Sequence, residues 1–291
     1  MNLPALSSSA AEEDNESQQA VRRWPAQLSL GFERNNGGTK LARRRHFGPL
    51  CVQKPFYPEG PGVCHTYVLH PPAGIAGGDA LNIDVEVDRE SEALVTTPAA
   101  TKFYRANPYP AKLTQHISVE SEASIEWLPQ GNIFFDGAEV LVRTIMKLKQ
   151  DSRLIAWDSQ CLGRPACREI YSTGTYQQRF EVWVEEQPLL IDSLGLSAGS
   201  TMQASRWGLS AKAVNAILVA YPADKALLES VNIHIERDIP DCAATLVDGL
   251  LLVRCFGEEL DSVHNRLSSL WQLLRPSILG KEACTPRIWN T

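Results

Sequence analysis

Hydrophobic and polar residues alternate along much of the chain after residue 39. Between Leu81 and Asp88, Leu, Ile and two Val residues occupy every second position, and Asn, Asp, Glu and Asp fill the positions between them. A period of two places the apolar side chains on one face of a strand and the polar ones on the other. The pattern therefore predicts a half-buried β-strand over 81–88.

Three further segments share one shape, a charged or polar turn that leads into an alternating or apolar strand. They are RESEALVTTP (89–98), VESEASIEWLP (119–129) and KQDSRLIAWDS (149–159). Aligned at Ala93, Ala123 and Arg153, they lie 30 residues apart, and WVEEQPLLIDS (183–193) offers a looser fourth copy. This spacing favours stacked β-layers, each of which buries the face of its neighbour. Chance recurrence of a common turn is the alternative.

The C-terminal third has different patterns. The run VNAILVAY (214–221) predicts a buried strand, and residues 223 to about 231 predict a short helix. Thr245–Val247, Asp-Gly and LLLVRC predict a hairpin, because Asp-Gly suits a type I′ turn. Apolar residues on one face predict a helix over 260–275 that Pro276 ends. The fold class is mostly β, with stacked β-layers of roughly 30-residue repeats and about two helices near the C-terminus.

Composition divides the chain into two parts. Residues 1–22 are rich in Ser, Ala, Glu and Gln and poor in aromatic residues, which predicts a disordered tail. Residues 23–291 are predicted to form a single β-rich domain whose helical part begins at about residue 205. The net charge of −6 argues against a nucleic-acid binder. The basic run at 43–46 predicts a solvated face, with docking onto an acidic partner as the alternative.

Cellular location is indicated by what the sequence lacks. The N-terminal stretch has no signal-peptide pattern, and no apolar run approaches the ~20 residues that span a bilayer. The chain has seven cysteines, an odd number, without a secretion signal. These features predict a reducing, cytoplasmic setting.

The sequence carries no strong enzymatic motif. HPPAGIAGGD (70–79) lacks the Lys of a phosphate-binding loop and leads into a strand, so it predicts a sharp corner instead. CxxC, HxxxH and HExxH are absent from the sequence. Cys64, His65 and His70 lie close together, as do Cys161 and Cys167, but a buried thiol or a core imidazole is the favoured interpretation of each.

Four carboxylates lie in or beside apolar segments rich in Gly or Pro: Asp79, Asp84, Glu126 and Asp136. Such a group caps a turn, pairs with a cation such as Arg105 or Arg164, or lines a wet cavity. Turn capping is the default for Asp79 and Asp136. A row of weak oxygen ligands along a hydrated path would suit a divalent ion that must move on.

Five segments in order resemble the UreD (UreH) family of urease accessory proteins. They are HPPAGIAGGD (70–79), TTPAATKFYR (96–105), EWLPQGNIFFDGA (126–138), LGRPA (162–166) and PRIWNT (286–291). The resemblance covers roughly residues 28–291. The sequence departs from the family pattern at Ala73, Ala99, Gly131-Asn132 and Arg168, and the Glu that is usual at position 131 is lost. If that carboxylate handles metal, its role passes to a neighbour or is dispensable.

The resemblance implies a non-catalytic β-rich scaffold that acts in nickel insertion. It implies binding to UreF, which carries the GTPase UreG, and docking of the assembly on apo-urease, with UreE acting indirectly. No tightly bound cofactor is expected, only transient nickel, for which a water-filled passage has been proposed in the family. Asp79, Asp84, Glu126 and Asp136 are the candidate passage carboxylates.

TTPAATKFYR also contains candidate partner contacts. Lys102, Phe103, Tyr104 and Arg105 combine aromatic rings and cations, a composition common at interfaces. Packing of the aromatic pair into the core, with solvated cations, is the alternative.

Two other functions remain open. One is a metal-dependent hydrolase on a β-sandwich that uses His65, His70 and Asp79 at one centre. The other is a structural adaptor that positions partners and conducts no ion. A tightly held stoichiometric metal would favour the hydrolase. Replacement of the candidate carboxylates would distinguish the adaptor from the passage.

Overall fold

The structure is a computed structural model that describes residues 24–106 and 108–290. The predicted tail at 1–22 lies outside the described residues. The main body is a β-solenoid-like stack of about four coils. None of the helices in the described residues is long and apolar enough to span a membrane.

Two large sheets run along the stack. The seven-stranded sheet contains, in spatial order, β15 (Gln187–Ser197), β14 (Thr175–Val184), β12 (Glu139–Leu148), β9 (Ala111–Val119), β6 (Ala80–Val87), β1 (Pro25–Asn35) and β2 (Gly38–Phe47). The main path of the second sheet contains β17 (Cys242–Val247), β18 (Leu250–Gly257), β16 (Val214–Tyr221), β13 (Arg153–Leu162), β10 (Ser124–Leu128), β7 (Glu92–Thr96), β4 (Val63–Leu69) and β3 (Cys51–Val52). A short row attached to it contains β5 (Gly74–Ile75), β8 (Thr101–Phe103) and β11 (Asn132–Phe134).

Parallel pairing stacks the coils. Strands β4, β7, β10 and β13 pair in parallel on one side, and β6, β9, β12 and β14 do so on the other. The alternation predicted over 81–88 is present in β6, where Leu81, Ile83, Val85 and Val87 are buried. The predicted β-layers are therefore confirmed, and each coil buries the edges of its neighbours.

The repeat has a different register from the sequence alignment. Ala93 pairs with Ile125, and Arg153 pairs with Ser124, so neither aligns with Ala123 as predicted. The spacing is thus 32 residues from Ala93 to Ile125 and 29 from Ser124 to Arg153. Backbone pairing fixes the register of stacked strands, whereas the connecting loops tolerate differences in length.

The prediction that the looser fourth copy at 183–193 forms a further coil is wrong. It spans the end of β14 and the start of β15, which form an antiparallel hairpin around Glu185. The pattern instead missed the coil over 63–87, which precedes the three aligned segments. A polar turn between apolar strands serves a hairpin as well as a coil, so the pattern alone did not separate them.

Antiparallel strands extend the second sheet at its C-terminal end. The predicted strand at 214–221 is β16, and the predicted hairpin is β17–β18, with positive φ at Asp248 and Gly249 as a type I′ turn requires. Register places Cys242 opposite Cys255, and these two residues form a disulfide. The cysteine pattern predicted a reducing setting, and the pairing of Cys242 with Cys255 was not predicted.

Three α-helices occur in the described residues: α1 (Thr201–Ala204), α2 (Lys225–Asp238) and α3 (Leu260–Leu279). Both predicted helices are present, and both are longer than predicted. Pro276 lies inside α3, and the helix ends at Gly280 in the left-handed conformation. A proline removes one backbone donor, but burial of Ile278 and Leu279 favours a further turn.

The core has two parts. One lies between the two sheets and contains the inward side chains of the coils. The other lies between the second sheet and α3, where Trp157 and Trp271 are fully buried. Two 3-10 turns complete the described elements, at Pro165–Cys167 and at Arg287–Asn290. The second of these places Trp289 against the rings of Trp157, Trp271 and His264.

Candidate functional site

A cavity of about 250 Å³ lies between the two sheets, beside the loop that joins β7 to β8. Apolar side chains form much of its wall. Its polar lining includes His70, Gln115, Asn132 and Asp158, which come from separate parts of the chain. The stacked coils create this arrangement, because each contributes an inward position at the same end of the stack.

Asp158 is the most unusual of these residues. Its carboxylate is buried, and it accepts hydrogen bonds from Nδ2 of Asn132 at 3.1 Å and from Nε2 of Gln178 at 3.0 Å. Within the described residues it has no cationic partner. Burial raises the pKa of Asp158 to about 7, and the hydrogen bond from Gln178 opposes that rise. The group therefore exchanges a proton near neutral pH.

Three side-chain amides form a row next to Asp158. Asn132, Gln160 and Asn215 pair at one register across β11, β13 and β16. Gln160 is fully buried and lowers the pKa of the neighbouring Asp158 carboxyl, but neither its Oε1 nor its Nε2 forms a hydrogen bond of standard geometry in the described residues. Nδ2 of Asn215 also lacks a partner there. Buried amides of this kind require water or another polar partner.

A second groove, of about 220 Å³, lies at the other end of this row. Gln178 and Asn215 line it, together with Asp192, Arg254 and Trp207. Because Gln178 also donates to Asp158, its amide links the groove to the interior cavity. The polar side chains thus follow one another from the cavity through the core to the groove.

The two carboxylates predicted to cap turns both do so. Asp79 accepts from the backbone N–H of Ala76 at 2.9 Å. Asp136 accepts from the backbone N–H groups and hydroxyls of Ser172 and Thr173. Burial raises the pKa of Asp136, but the hydrogen bonds from Thr173 and Ser172 together outweigh that effect, so its pKa is lowered.

The predicted pairing with arginine holds for one of the two cations. Nη2 of Arg105 lies 3.6 Å from Oδ2 of Asp136. Arg164 pairs with Glu169 instead. Asp136 therefore fixes the loop at 172–173 and lies at the surface end of the stack.

The other two carboxylates lie far from each other in the fold. Asp84 is on the outward face of the seven-stranded sheet, 3.3 Å from Nδ1 of His116. Glu126 is buried on the α3 side of the second sheet, where it accepts from Nε of Arg275 at 2.9 Å and from Nε1 of Trp271 at 2.6 Å. The four candidate carboxylates are not brought together, because alternate residues of a strand face opposite ways. Their role in handling nickel stays a prediction.

The four candidate partner contacts also divide. Phe103 is fully buried and packs edge-on against Phe134, as the packing alternative expected. Tyr104 is partly exposed, and Lys102 and Arg105 are exposed. Lys102 lies in the wall of the interior cavity. Contact of the three surface residues with a partner stays a prediction.

The residues suggested for a hydrolase do not form a centre. His65 is fully buried and lies 2.7 Å from Glu59, whereas His70 lines the interior cavity. No group of three or more His, Cys, Asp or Glu side chains in the described part of the chain could hold a metal ion. Burial lowers the pKa of His70, and nearby Asp79 opposes that shift.

Sequence reasoning missed the residues of the polar row. Asp158 and Gln160 lie within β13, whose other residues are mostly apolar. A carboxylate inside a buried strand was the available signal, since ionised side chains are rarely buried unless they are paired. Nothing in the sequence showed that Gln178, twenty residues further on, would meet Asp158.

Comparison with known proteins identifies the family of this chain. The family model described as "UreD urease accessory protein" matches residues 25–290. A urease accessory protein UreD from Enterobacter sp. (strain 638) is 43% identical over 270 residues, which cover 92% of this chain and 96% of the relative. Its counterpart from Citrobacter koseri is 42% identical over 271 residues, 93% of each chain. That of Pseudomonas putida (strain W619) is 41% identical over 268 residues, 92% of this chain and 95% of the relative. The chain therefore belongs to the UreD family of urease accessory proteins.

Proposed function

We propose that this protein is a non-catalytic scaffold of urease maturation that lets nickel pass through its interior toward apo-urease. In this proposal it binds UreF, which carries the GTPase UreG, while UreE supplies nickel indirectly. Nickel is transient cargo, and the protein holds no resident cofactor. Family membership supports the role in maturation, and the polar row through the core supports the passage.

One feature supports the passage above all others. Asp158 is a buried carboxylate without a cation, and it lies between a cavity and a groove that amide side chains connect. An unpaired buried charge is costly, so such a residue has a use that compensates for its cost to stability. A carboxylate and amide oxygens attract a divalent cation through weak oxygen contacts.

The available donors suit transit better than storage. Nickel binds most tightly to nitrogen and sulfur ligands. Apart from the imidazole of His70 and the amine of Lys102, the polar side chains of the cavity offer a cation only oxygen atoms. The thiol of Cys161 belongs to the other part of the core, under α3. A cation in the cavity would therefore be held loosely and released. Among the predicted carboxylates, the charge of Asp79 acts on His70 in the cavity wall.

Asp158→Asn tests the passage. The variant is expressed together with the urease subunits and the other accessory proteins, and nickel per urease active site is counted at limiting nickel. We expect an unchanged complex and roughly a tenfold loss of nickel and activity, because an amide keeps the shape but cannot take a negative charge.

Asp151→Asn is the matched control, since it makes the same change at an exposed position two residues before β13 begins. It is expected to leave nickel loading unchanged. Fully loaded urease with Asp158→Asn would exclude a passage through this residue and favour the adaptor, while the role in maturation would stand.

A further inference from the structure

Tyr176 lies beside the polar row, on the same buried face of β14 as Gln178. Its side chain is fully buried, and its ring packs against that of Phe134 with the two ring centroids 4.9 Å apart. A phenol at this depth requires a hydrogen-bond partner for its O–H group. The partner that it has connects Tyr176 to the carboxylate of Asp158.

The hydroxyl of Tyr176 determines the direction of one side-chain amide. It donates to Oε1 of Gln178, and Nε2 of the same amide donates to Oδ2 of Asp158 at 3.0 Å. Burial raises the pKa of Tyr176 well above its usual value, so the hydroxyl keeps its proton and acts as the donor. The amide therefore turns its hydrogen atoms toward the carboxylate and its carbonyl oxygen away from it.

Rotation of the Gln178 amide would break this arrangement. If its carbonyl oxygen turned toward Asp158, the O–H group of Tyr176 would lose the only acceptor that it has among the residues that the structure describes. A buried donor that loses its acceptor is strongly unfavourable, because water does not replace the missing partner. Tyr176 thus stabilises one of the two orientations of the amide.

The orientation of the amide matters for a cation at Asp158. Divalent cations bind the oxygen atoms of carboxylates and of side-chain amides, whereas an amide NH₂ group is a donor and offers them no ligand. Gln178 presents its NH₂ group to the carboxylate, and Asn132 does the same from the other side, at 3.1 Å. The carboxylate is therefore flanked by two donors rather than by further oxygen ligands.

We propose that Tyr176 is a positioning residue that keeps the cation contact at Asp158 weak, because it holds the carbonyl oxygen of Gln178 away from that contact. The inference rests on the proposed function, since it concerns a divalent cation in transit past this carboxylate. A site with a full set of oxygen ligands would retain the ion. A site from which one ligand is withheld releases the ion toward the groove.

Tyr176→Phe tests the proposal, because it removes the hydroxyl and keeps the ring. Without the hydroxyl, Oε1 of Gln178 is a buried acceptor that lacks a donor, and a bound cation supplies the missing partner. We expect the purified variant to bind Ni²⁺ about tenfold more tightly than the wild type in equilibrium dialysis. In the system that co-expresses urease and the other accessory proteins, less nickel should reach urease at limiting nickel. Damage to the fold would weaken binding, so it does not account for a gain in affinity.

Tyr221→Phe is the matched control. Tyr221 is also buried, but its hydroxyl donates to the carbonyl of Gln150 at 3.2 Å, and it lies at the opposite end of β16 from Asn215. This variant should bind Ni²⁺ as the wild type does. Adding Gln178→Met to Tyr176→Phe should abolish the gain in affinity, since methionine has no carbonyl oxygen in its side chain. Unchanged affinity in Tyr176→Phe, or a gain that persists in the double variant, would overturn the proposal.

Asp158→Asn separates failure of this proposal from failure of the nickel passage. Tighter binding in Tyr176→Phe, together with full nickel loading of urease in Asp158→Asn, would support the control of cation affinity by Tyr176 and reject the passage. Wild-type affinity in Tyr176→Phe, together with lost loading in Asp158→Asn, would reject the role of Tyr176 and leave the passage in place.

Discussion

At the scale of single residues, the buried carboxylate of Asp158 reduces the stability of the fold. Its carboxylate receives two amide hydrogen bonds but no counter-charge within the described residues. Burial raises its pKa to about 7, so both protonation states are populated at neutral pH. A proton and a metal cation would compete for the same oxygen atoms. Nickel loading through this residue should therefore weaken as the pH falls below 7.

Asp158 also predicts a pH dependence of stability. Its folded pKa is raised, so the folded state binds the proton more tightly than the unfolded state, and stability is lost as the pH rises from about 4 to about 7. Between pH 5 and pH 8 the loss is roughly 3 kcal/mol. The free energy of unfolding of Asp158→Asn should not fall in this way. The variant should therefore become more stable relative to the wild type as the pH rises over the same interval.

Urea unfolding at pH 5 and pH 8 provides the measurement, and Asp151→Asn serves again as the exposed control. The control should track the wild type at both values. A free-energy difference between Asp158→Asn and the wild type that does not change with pH would mean that Asp158 titrates as an ordinary exposed carboxyl.

At the scale of elements, the backbone conformation at the corners of the coils limits which side chains can occupy those positions. Gly131 joins β10 to β11 with a φ of +91°. A Cβ there would lie 2.3 Å from Oγ of Ser159. The Glu that is usual in the family at this position does not suit the backbone of this chain. A metal-handling role for a carboxylate at this position would therefore belong to another residue of this chain.

Gly131→Glu is therefore expected to destabilise this protein by about 2 kcal/mol or more, because the side chain meets both an unfavourable φ and a steric clash. Thermal unfolding measures the effect. Gly37→Ala is the control, since Gly37 has a φ of +80° but open space around it, and it isolates the conformational part of the cost. A gain in nickel loading without loss of stability in Gly131→Glu would contradict this account.

At the scale of the whole molecule, one charged cluster joins the solenoid to its helical cover. Arg275 of α3 is fully buried and pairs with Glu126 of β10 at 2.9 Å and with Glu59 at 2.6 Å. His65 of β4 lies 2.7 Å from the same Glu59 carboxylate. Burial raises the pKa of Glu59, but the hydrogen bonds from His65 and Arg275 prevail and lower it to about 2. The cluster thus ties three parts of the chain that lie far apart in sequence.

Arg275→Met should cost about 3–5 kcal/mol in the free energy of unfolding, because it leaves two carboxylates near each other without their shared cation. Denaturant unfolding measures the loss. Arg237→Met is the control, since Arg237 pairs with Asp238 at the surface and should contribute less than about 1 kcal/mol. Adding Glu126→Gln to Arg275→Met should restore part of the stability. If Arg275→Met alone lost no more stability than Arg237→Met, the cluster would not be what holds α3 on the sheet.

Local patterns predicted the elements that depend on local chemistry. The strand at 81–88, the Asp-Gly hairpin and the buried strand at 214–221 appear where the pattern placed them, and the stacked layers are present with a different register. Periodicity reports which face of an element is buried, and Asp-Gly favours a specific turn. The end of α3 was wrong because packing of Ile278 and Leu279 favoured a turn beyond Pro276.

The candidate site depended on contacts that no local pattern contains. Asp79 and Asp136 were recognised as turn carboxylates because their neighbours in sequence determine that role. Asp158 was missed because Gln178 and Asn132 become its partners only when the coils stack. Pairing of Glu126 with Arg275, 149 residues later, was beyond sequence reasoning for the same reason.

The sequence by itself determined that this is a mostly β protein of stacked layers with a helical C-terminal part and the motifs of its family, because hydrophobic periodicity and turn chemistry are local. Only the tertiary structure decided the register of the coils, the burial of Asp158 and the row of buried amides beside it. Register and burial arise from contacts between residues about 30 positions apart or more, and such contacts exist only once the solenoid has formed.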